Sequence, residues 1–453
     1  MTSQRLSRRA EGYWLGGILS VAFLLRAALL LAAARHIDRA FAPDSQSYLA
    51  PALKLLASGS YPADSALRTP GYPLFIAFVY WLGGPNPILV ILAQVFVGTL
   101  SVYLTYRLGK ELSTTWVALA GALLLAISVE SITNGFYLLS DALFTLFLIA
   151  AMLAWVRAYR DHRLLWCGIA AVLMGLCVVI RPEAVYFPAL PALAWLFSKG
   201  VNWLRRFGFA GMFLAIYLLA VLPWVVRNDR VLGIPTISTI ANYNLLYYNA
   251  ASLEANVRNI SEAEIRLQYP QRIAEALKEN GWTDTEANEY RVEGILGRQM
   301  ILSHPFRYVY VHLRADLNGL LPDVTGPTEI LGLTTGGKGT LSVLNHSGIL
   351  AAIQNYYGSS LWVLGLTIPI ILLLAMVYLL DLFGLAGVIR QRLWLVGFVL
   401  LAPSAYYLLL PGAASLPRFR VPVMPYLCLM AAMGADTILA STPWRRDQKG
   451  KSP

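Results

Sequence analysis

The sequence predicts an all-α integral membrane protein: a polytopic bundle of about ten transmembrane helices, with interfacial helices on its outer face and one larger extracytoplasmic segment. Three observations predict it. Of 453 residues, 57% are hydrophobic and only 13% charged, with a mean hydropathy of +0.57, which places the chain in the polytopic membrane class. Apolar runs of spanning length recur along most of the chain, and a bilayer core requires about 20 apolar residues per helical crossing. The basic residues fall as short clusters between those runs, on one side of the membrane once the N-terminus is assigned to the cytoplasm.

Arg5, Arg8 and Arg9 precede the first apolar run, 14–34. It resembles a signal peptide but is long and lacks a small-residue cleavage site before Asp44, so it reads as an uncleaved first span. The first outer loop, 35–85, opens with Pro43-Asp44-Ser45 and continues as an amphipathic segment through Tyr48, Leu49, Leu53, Leu55 and Leu56. Within it Tyr72 to Leu82, bounded by Pro70, Pro73, Gly83 and Gly84, is too short to span and reads as an interfacial helix.

Further spans are expected over 86–107, 115–130, 138–156, 164–180, 184–198 and 208–226, and later over 360–383, 393–410 and 421–440. Arg107 and Lys110, then Arg157, Arg160 and Arg163, then Lys199, Arg205 and Arg206, then Arg390 and Arg392, and finally Arg445, Arg446, Lys449 and Lys451 all fall on the cytoplasmic side. The opposite face receives the unusual polar residues: Asp44, Arg68, Glu130, Asp141, Arg181, Glu183, Arg227, Asn228, Arg418 and Arg420.

Residues 1–226 thus form an N-terminal membrane module, 227–346 an extracytoplasmic, partly helical segment, and 347–453 the last spans with a short cytoplasmic tail. In the middle segment Ser261 to Glu264 and Thr283 to Glu286 match the helix-start pattern in which a hydroxyl and a glutamate cap each other, and a helical run ends at Pro305. Gly332 to Gly339 nearly spells a phosphate loop, but Gly339 stands where Ser or Thr would hold the metal, so it reads as a flexible loop. The sequons Asn259-Ile-Ser261 and Asn345-His-Ser347 lie on the same outer side.

Several function classes are excluded or disfavoured. The net charge of +11 is spread between spans without a stripe of interleaved aromatics, which speaks against nucleic acid. Cys167, Cys177 and Cys428 lie inside apolar runs, so they build neither a disulfide framework nor a metal knuckle. There is no internal repeat and no metal-ligand motif.

The residues left to carry chemistry are carboxylates and arginines. A carboxylate beside a membrane span is costly unless paired or used. Asp44 and Asp141 each have two readings, a helix cap or a site residue, and Glu130 reads as a span terminator. Arg68, Arg181, Arg227, Arg418 and Arg420 each have the option of snorkelling to headgroups, yet several guanidinium groups on one face with an acidic pair suit the bidentate holding of a phosphate. Arg26, inside the first span, receives no role beyond packing.

The order of motifs completes the reading. A first span is followed by Pro-Asp-Ser-x-x-Tyr, ending at Tyr48, and by Arg68-Thr-Pro-Gly-Tyr72-Pro-Leu-Phe. Later come Ile-Arg181-Pro-Glu, Pro-Trp-Val-Val-Arg227-Asn228, Ser303-His-Pro-Phe-Arg-Tyr308 and Arg418-Phe-Arg420-Val-Pro-Val-Met-Pro. This succession resembles the bacterial GT-C glycosyltransferases, in particular the family that includes protein O-mannosyltransferases and lipid A aminoarabinose transferases. The resemblance implies an enzyme of the bacterial inner membrane that moves a single sugar from a polyprenyl-phosphate donor to a glycan, lipid or protein acceptor on the outer face. It implies Asp44 as catalytic base, Arg68 as a donor-phosphate ligand and Asp141 as the acidic residue after the third span; the reading of the residues adds Arg181, Arg418 and Arg420 as donor-phosphate ligands. Tyr48, Tyr72, Asp141, Arg227 and Asn228 are then the candidates for contacting sugar or acceptor. Many relatives carry two adjacent acidic residues in the first loop, whereas here Ser45 follows Asp44, so the expectation is no cofactor and no metal. An inverting mechanism with one base fits, because a phosphate leaving group requires charge stabilisation and not protonation. The rival reading is a transporter or flippase of a lipid-linked anion; the lack of inverted repeats speaks against it.

Overall fold

The computed structural model describes residues 7–62, 66–333, 340–357 and 361–441, which are mostly helical with no strand among them. The basic tail at Arg445 to Lys451, Arg5 and most of the run from Gly332 to Gly339 lie outside the described residues.

Helix α1 (Arg8–Ala33) is capped by Ser7 and passes into a 3-10 turn, Ala34–Ala40. After Asp44 come α2 (Ser45–Ser58) and α3 (Gly71–Gly83), then the long α4 (Pro87–Leu112), begun by Asn86 accepting from the Ile88 amide with proline at its first turn. The expected span 115–130 is two helices, α5 (Thr115–Ala126) and α6 (Val129–Asn134). The break lies at Ser128, whose hydroxyl caps α6 by accepting from the Ser131 amide. Next are α7 (Asp141–Asp161), α8 (Leu164–Ile180), the short α9 (Ala189–Leu196) and α10 (Trp203–Leu232), which continues beyond the expected limit at residue 226.

Among the described residues six helical stretches are able, by length and composition, to cross a membrane: Arg8–Ala40, Pro87–Leu112, Asp141–Asp161, Trp203–Leu232, Leu364–Arg390 and Pro417–Ala440. Gly71–Gly83, Thr115–Ala126, Leu164–Ile180 and Trp394–Leu409 are shorter apolar helices. Each expected span therefore has a helical counterpart, although 184–198 holds only the short α9 after a 3-10 turn. Helix α7 gives the bundle its polarity: Asp141 is at one end, and Arg157, four turns on, pairs with Glu111 at 2.9 Å. Lys110 meets Glu11 at the same basic end, at 3.1 Å.

The middle segment has its own small core. It comprises α11 (Ile240–Asn244), a π-helical turn at Leu245–Ala250, α12 (Ala251–Arg258), α13 (Glu262–Glu279), α14 (Glu286–Ser303), α15 (Pro305–Asp316) and α16 (Thr325–Ile330). Leu246, Ile265, Tyr269, Ile273, Leu277 and Val292 pack together there, buried. Ser261 and Glu264 form the expected reciprocal cap. The second expected cap is displaced: α14 starts from Thr285, whose hydroxyl accepts from the Asn288 amide. Glu286 is used elsewhere, its Oε1 accepting from the Ala66 amide at 3.0 Å and the Thr239 hydroxyl at 2.7 Å. That carboxylate ties the middle segment to the stretch that leads into Arg68. The chain closes with α17 (Thr340–Tyr357), α18 (Leu364–Arg390), α19 (Trp394–Leu409) and α20 (Met424–Ser441). Between α19 and α20 lies a 3-10 segment, Pro417–Val423, that brings Arg418 to the first loop.

Candidate functional site

At the end of the bundle away from the basic clusters is a cavity of about 420 Å³, within the usual size range of ligand pockets. Asp44, Tyr48, Arg68, Asp141, Arg181 and Arg418 line it, so six of the candidates separated by up to 374 residues converge.

Asp44 does not cap a helix. It occupies the N-cap position of α2, yet its carboxylate receives no backbone amide. The local turn is closed by others: Ser45 Oγ accepts from the Ala42 amide, and Ser47 Oγ donates to the Asp44 carbonyl. The carboxylate is free to point into the cavity, where Arg68 Nη2 lies 2.9 Å from Oδ1 and Arg418 Nη2 lies 2.7 Å from Oδ2. Burial by itself pushes this carboxyl group up, but Arg418 and Arg68 outweigh it and hold Asp44 below its ordinary value, ionised. Arg68 is itself fixed, with Nε donating to Ser47 Oγ at 2.8 Å and its guanidinium 4.7 Å from the Tyr48 ring centroid.

A second ion cluster lies deeper. Arg181, where α8 ends, pairs with Asp141 and with Glu183, the latter at 2.6 Å, and its guanidinium lies 5.5 Å from the Phe144 and Phe419 ring centroids. Asp141, like Asp44, is not used as a cap: the N-cap of α7 is Ser140, and no side-chain cap bond forms there. Thr69 Oγ1 donates to the Ile180 carbonyl, and Gly71 packs so closely on Val179 and Ile180 that a Cβ would lie 2.7 Å from the Val179 carbonyl oxygen. This contact explains Gly71 in the Thr-Pro-Gly-Tyr motif and registers Arg68 against Arg181.

Four candidates are not brought to the cavity wall. Tyr72 is buried behind it, with its hydroxyl donating to Gln94 Oε1 at 2.6 Å and its ring edge-on to Tyr48. Arg227 donates to the Pro62 carbonyl and to Asn228 Oδ1, and Asn228 Nδ2 donates to the Thr236 carbonyl at 2.7 Å, so this pair braces loops. Arg420 is set apart most clearly. It is 0% exposed, pairs with Glu130 at 2.8 Å, and donates to the Gly319 and Leu321 carbonyls. A guanidinium with those partners has a structural task, and Glu130 is its counter-ion, not a span terminator. Arg26 is also structural, donating to the Ala22 and Ala126 carbonyls and to Ser131 Oγ in the space left by Gly98.

Sequence reasoning missed the far wall, which is supplied by the middle segment: Ile240, Tyr243, Asn244 and Tyr248. Tyr243 stacks on Tyr247 with centroids 4.5 Å apart, and the π-helical turn begins one residue after Asn244. The only sequence signal was the density of Tyr and Asn in Asn242-Tyr-Asn-Leu-Leu-Tyr-Tyr-Asn249. One wall of the cavity is therefore ionic, and the other offers phenols and an amide. Among the described residues no cluster of three or more His, Cys, Asp or Glu has metal-ligand spacing.

Residues 67–226 match the family model described as dolichyl-phosphate-mannose-protein mannosyltransferase, a segment that carries Arg68, Asp141 and Arg181 but neither Asp44 nor Arg418. No curated protein matches the chain in sequence. Among solved structures, the archaeal oligosaccharyltransferase AglB from Archaeoglobus fulgidus, in complex with an inhibitory peptide and a dolichol-phosphate, is similar over 97% of this chain and 52% of its own, with a TM-score of 0.56 and 14% identity. The apo form of the Archaeoglobus fulgidus oligosaccharyltransferase gives a TM-score of 0.53 at 13% identity, over 96% and 52% of the two chains. ArnT from Cupriavidus metallidurans, bound to undecaprenyl phosphate, is more distant, with a TM-score of 0.42 at 14% identity over 92% and 77%. The chain spans about half the length of the oligosaccharyltransferase it matches. Its fold is shared with that oligosaccharyltransferase over nearly the whole chain, in line with the resemblance carried by the order of motifs.

Proposed function

We propose that this protein transfers a single sugar from a polyprenyl-phosphate donor to a hydroxyl acceptor, a glycan, lipid or protein, at the outer face of the bacterial inner membrane. The observation that carries the proposal is Asp44 held between Arg68 and Arg418 on the ionic wall of the cavity. The acceptor oxygen attacks the anomeric carbon and its proton passes to an Asp44 oxygen. The bond from that carbon to the phosphate oxygen breaks with inversion, and the lipid phosphate leaves as an anion.

Two guanidinium groups on Asp44 make it a weak base while the cavity lacks an anion. A donor phosphate competes for the same Arg68 and Arg418 donors, through charge-assisted hydrogen bonds worth roughly 1.5 to 3 kcal/mol each. As it takes them, the carboxylate loses compensation and its basicity rises. Binding of the donor thus prepares the base. Arg181, already committed to Asp141 and Glu183, holds the deeper wall and keeps those two carboxylates from the leaving phosphate's arginines, Arg68 and Arg418. Tyr48, Tyr243, Asn244 and Tyr248 supply the uncharged surface suited to sugar rings and hydroxyls.

The test is purified protein in vesicles with a synthetic polyprenyl-phosphate sugar and a panel of hydroxyl acceptors. Release of free lipid phosphate together with an acceptor heavier by one sugar supports the proposal. Movement of intact donor across the vesicle without cleavage supports the rival flippase reading and overturns it.

A further inference from the structure

Helix α15 presents a face that water does not suit. Phe306 is 90% exposed, and Val309, Tyr310, Leu313 and Leu317 are between 51% and 59% exposed. Their spacing of three and four residues places them in one stripe along the helix. The opposite face is occupied by the protein. Val311 and Asp316 are buried there, His312 Nε2 bonds to the Leu409 carbonyl at 2.8 Å, and Asp316 Oδ1 accepts from the Gly412 amide at 2.8 Å. Arg307 and Arg314, seven residues apart and both exposed, border one edge of the stripe; Arg307 donates to Asn256 on α12 through Nε and Nη2, both at 2.7 Å, which leaves Arg314 as the arginine turned to the surroundings.

The surroundings specify what covers that stripe. Leu409, the acceptor for His312, ends the apolar helix α19 and is itself 52% exposed. Just past α15, the Leu320 carbonyl accepts from Tyr378 Oη on α18, a helix whose spanning window is only 17% buried by protein. The stripe therefore continues the surface that α18 and α19 turn to lipid. A helix with an aromatic and aliphatic face, a basic edge and a polar packed side has the composition of one that lies in the bilayer interface, with arginines at the phosphate level and apolar side chains among the acyl chains.

We infer that α15 docks into the leaflet on the cavity side of the membrane and seats the middle segment on the bilayer. The consequence reaches the site. Helix α15 holds Gly412 through Asp316, and the segment from Gly412 to Arg418 delivers the arginine that grips Asp44. The lipid surface is thus one of the supports that position Arg418 on the ionic wall of the cavity. This role is independent of which sugar or acceptor the enzyme uses.

The experiment places a nitroxide label at Phe306→Cys, Leu313→Cys or Leu317→Cys in the full chain, reconstituted in vesicles containing anionic phospholipid. Glu279→Cys, at the end of α13, serves as the water-facing reference. The native cysteines Cys167, Cys177 and Cys428 are buried, and the unsubstituted protein reports their background. Because the three labelled positions are exposed, folding is little disturbed. The expected result is a severalfold higher ratio of collisions with oxygen to collisions with a water-soluble nickel chelate at 313 and 317 than at 279. A ratio equal to that of the reference overturns the inference. So does loss of both kinds of collision with dipolar broadening between labels, which assigns the stripe to a second copy of this chain.

Discussion

Arg418 Nη2 donates to Asp44 Oδ2 at 2.7 Å, joining residues 374 positions apart. The bond closes the ionic wall of the cavity and fixes the protonation state of its central carboxylate.

Replacement of Asp44 by Asn is expected to abolish transfer, by a factor of about 10² to 10⁴, with the fold retained. The carboxylate caps nothing, and its ion pairs are partly exposed, so the loss of stability is about 1 kcal/mol or less per pair. Because the native carboxyl group is held below its ordinary value, these pairs stabilise the protein above that value and fail as pH falls through the lowered one. In kinetics the acidic limb of kcat/KM should lie below the ordinary carboxylate range, and that of kcat, measured with donor bound, should lie higher. Coincident limbs would refute competition between phosphate and Asp44 for the arginines.

Arg418→Ala and Arg420→Ala should separate cleanly although the residues are two apart. Arg418→Ala is expected to cost activity by weakening donor use while leaving stability within about 1 kcal/mol, and Arg418→Lys should restore part of the activity. Arg420→Ala strips a counter-ion from buried Glu130 and donors from two carbonyls, so a loss of roughly 3 to 5 kcal/mol is expected. Thermal unfolding in detergent alongside a donor-binding assay distinguishes the two effects. Similar profiles for both variants would overturn the division of roles.

Transfer is expected to persist in excess chelator. The carboxylates of the cavity, Asp44, Asp141 and Glu183, are each engaged by a guanidinium, which leaves the charge on the leaving phosphate to arginine. Activity that returned only with added magnesium or manganese would assign Asp44 and Asp141 to a metal instead.

Glu293, buried on α14, carries a carboxyl group pushed up by burial, and further by Glu289 and Glu286, to about 7. Its native value exceeds its unfolded value, so the native state binds more protons and its stability falls as pH rises through that interval. Glu293→Gln should therefore stabilise the protein at pH 8 by on the order of 1 kcal/mol after solvent screening, read as a higher melting temperature, with little change at pH 4. An equal shift at both values would show that the effect is one of packing.

Most of the architecture was legible in the sequence because a bilayer imposes its constraint locally. Each run of apolar residues had to become a helix that satisfies its own backbone, and Lys110 and Arg157 lie at one end of the bundle, paired with Glu11 and Glu111. The same sorting put Asp44, Arg68, Asp141, Arg181 and Arg418 on one face, and the structure gathers all five around the cavity. What sequence order does not encode is which way a side chain turns once its segment is placed. Arg418 and Arg420 stand in one 3-10 segment, Pro417–Val423, where about three residues make a turn. Two positions apart therefore point to well-separated directions, one to the cavity and one into the bundle. Asp44 and Asp141 each had the option of capping a helix, and only the arrival of arginines from distant segments decided otherwise. The wall of Tyr243, Asn244 and Tyr248 was hidden for the same reason: it exists only where the middle segment folds back, tied through Glu286 to the stretch before Arg68.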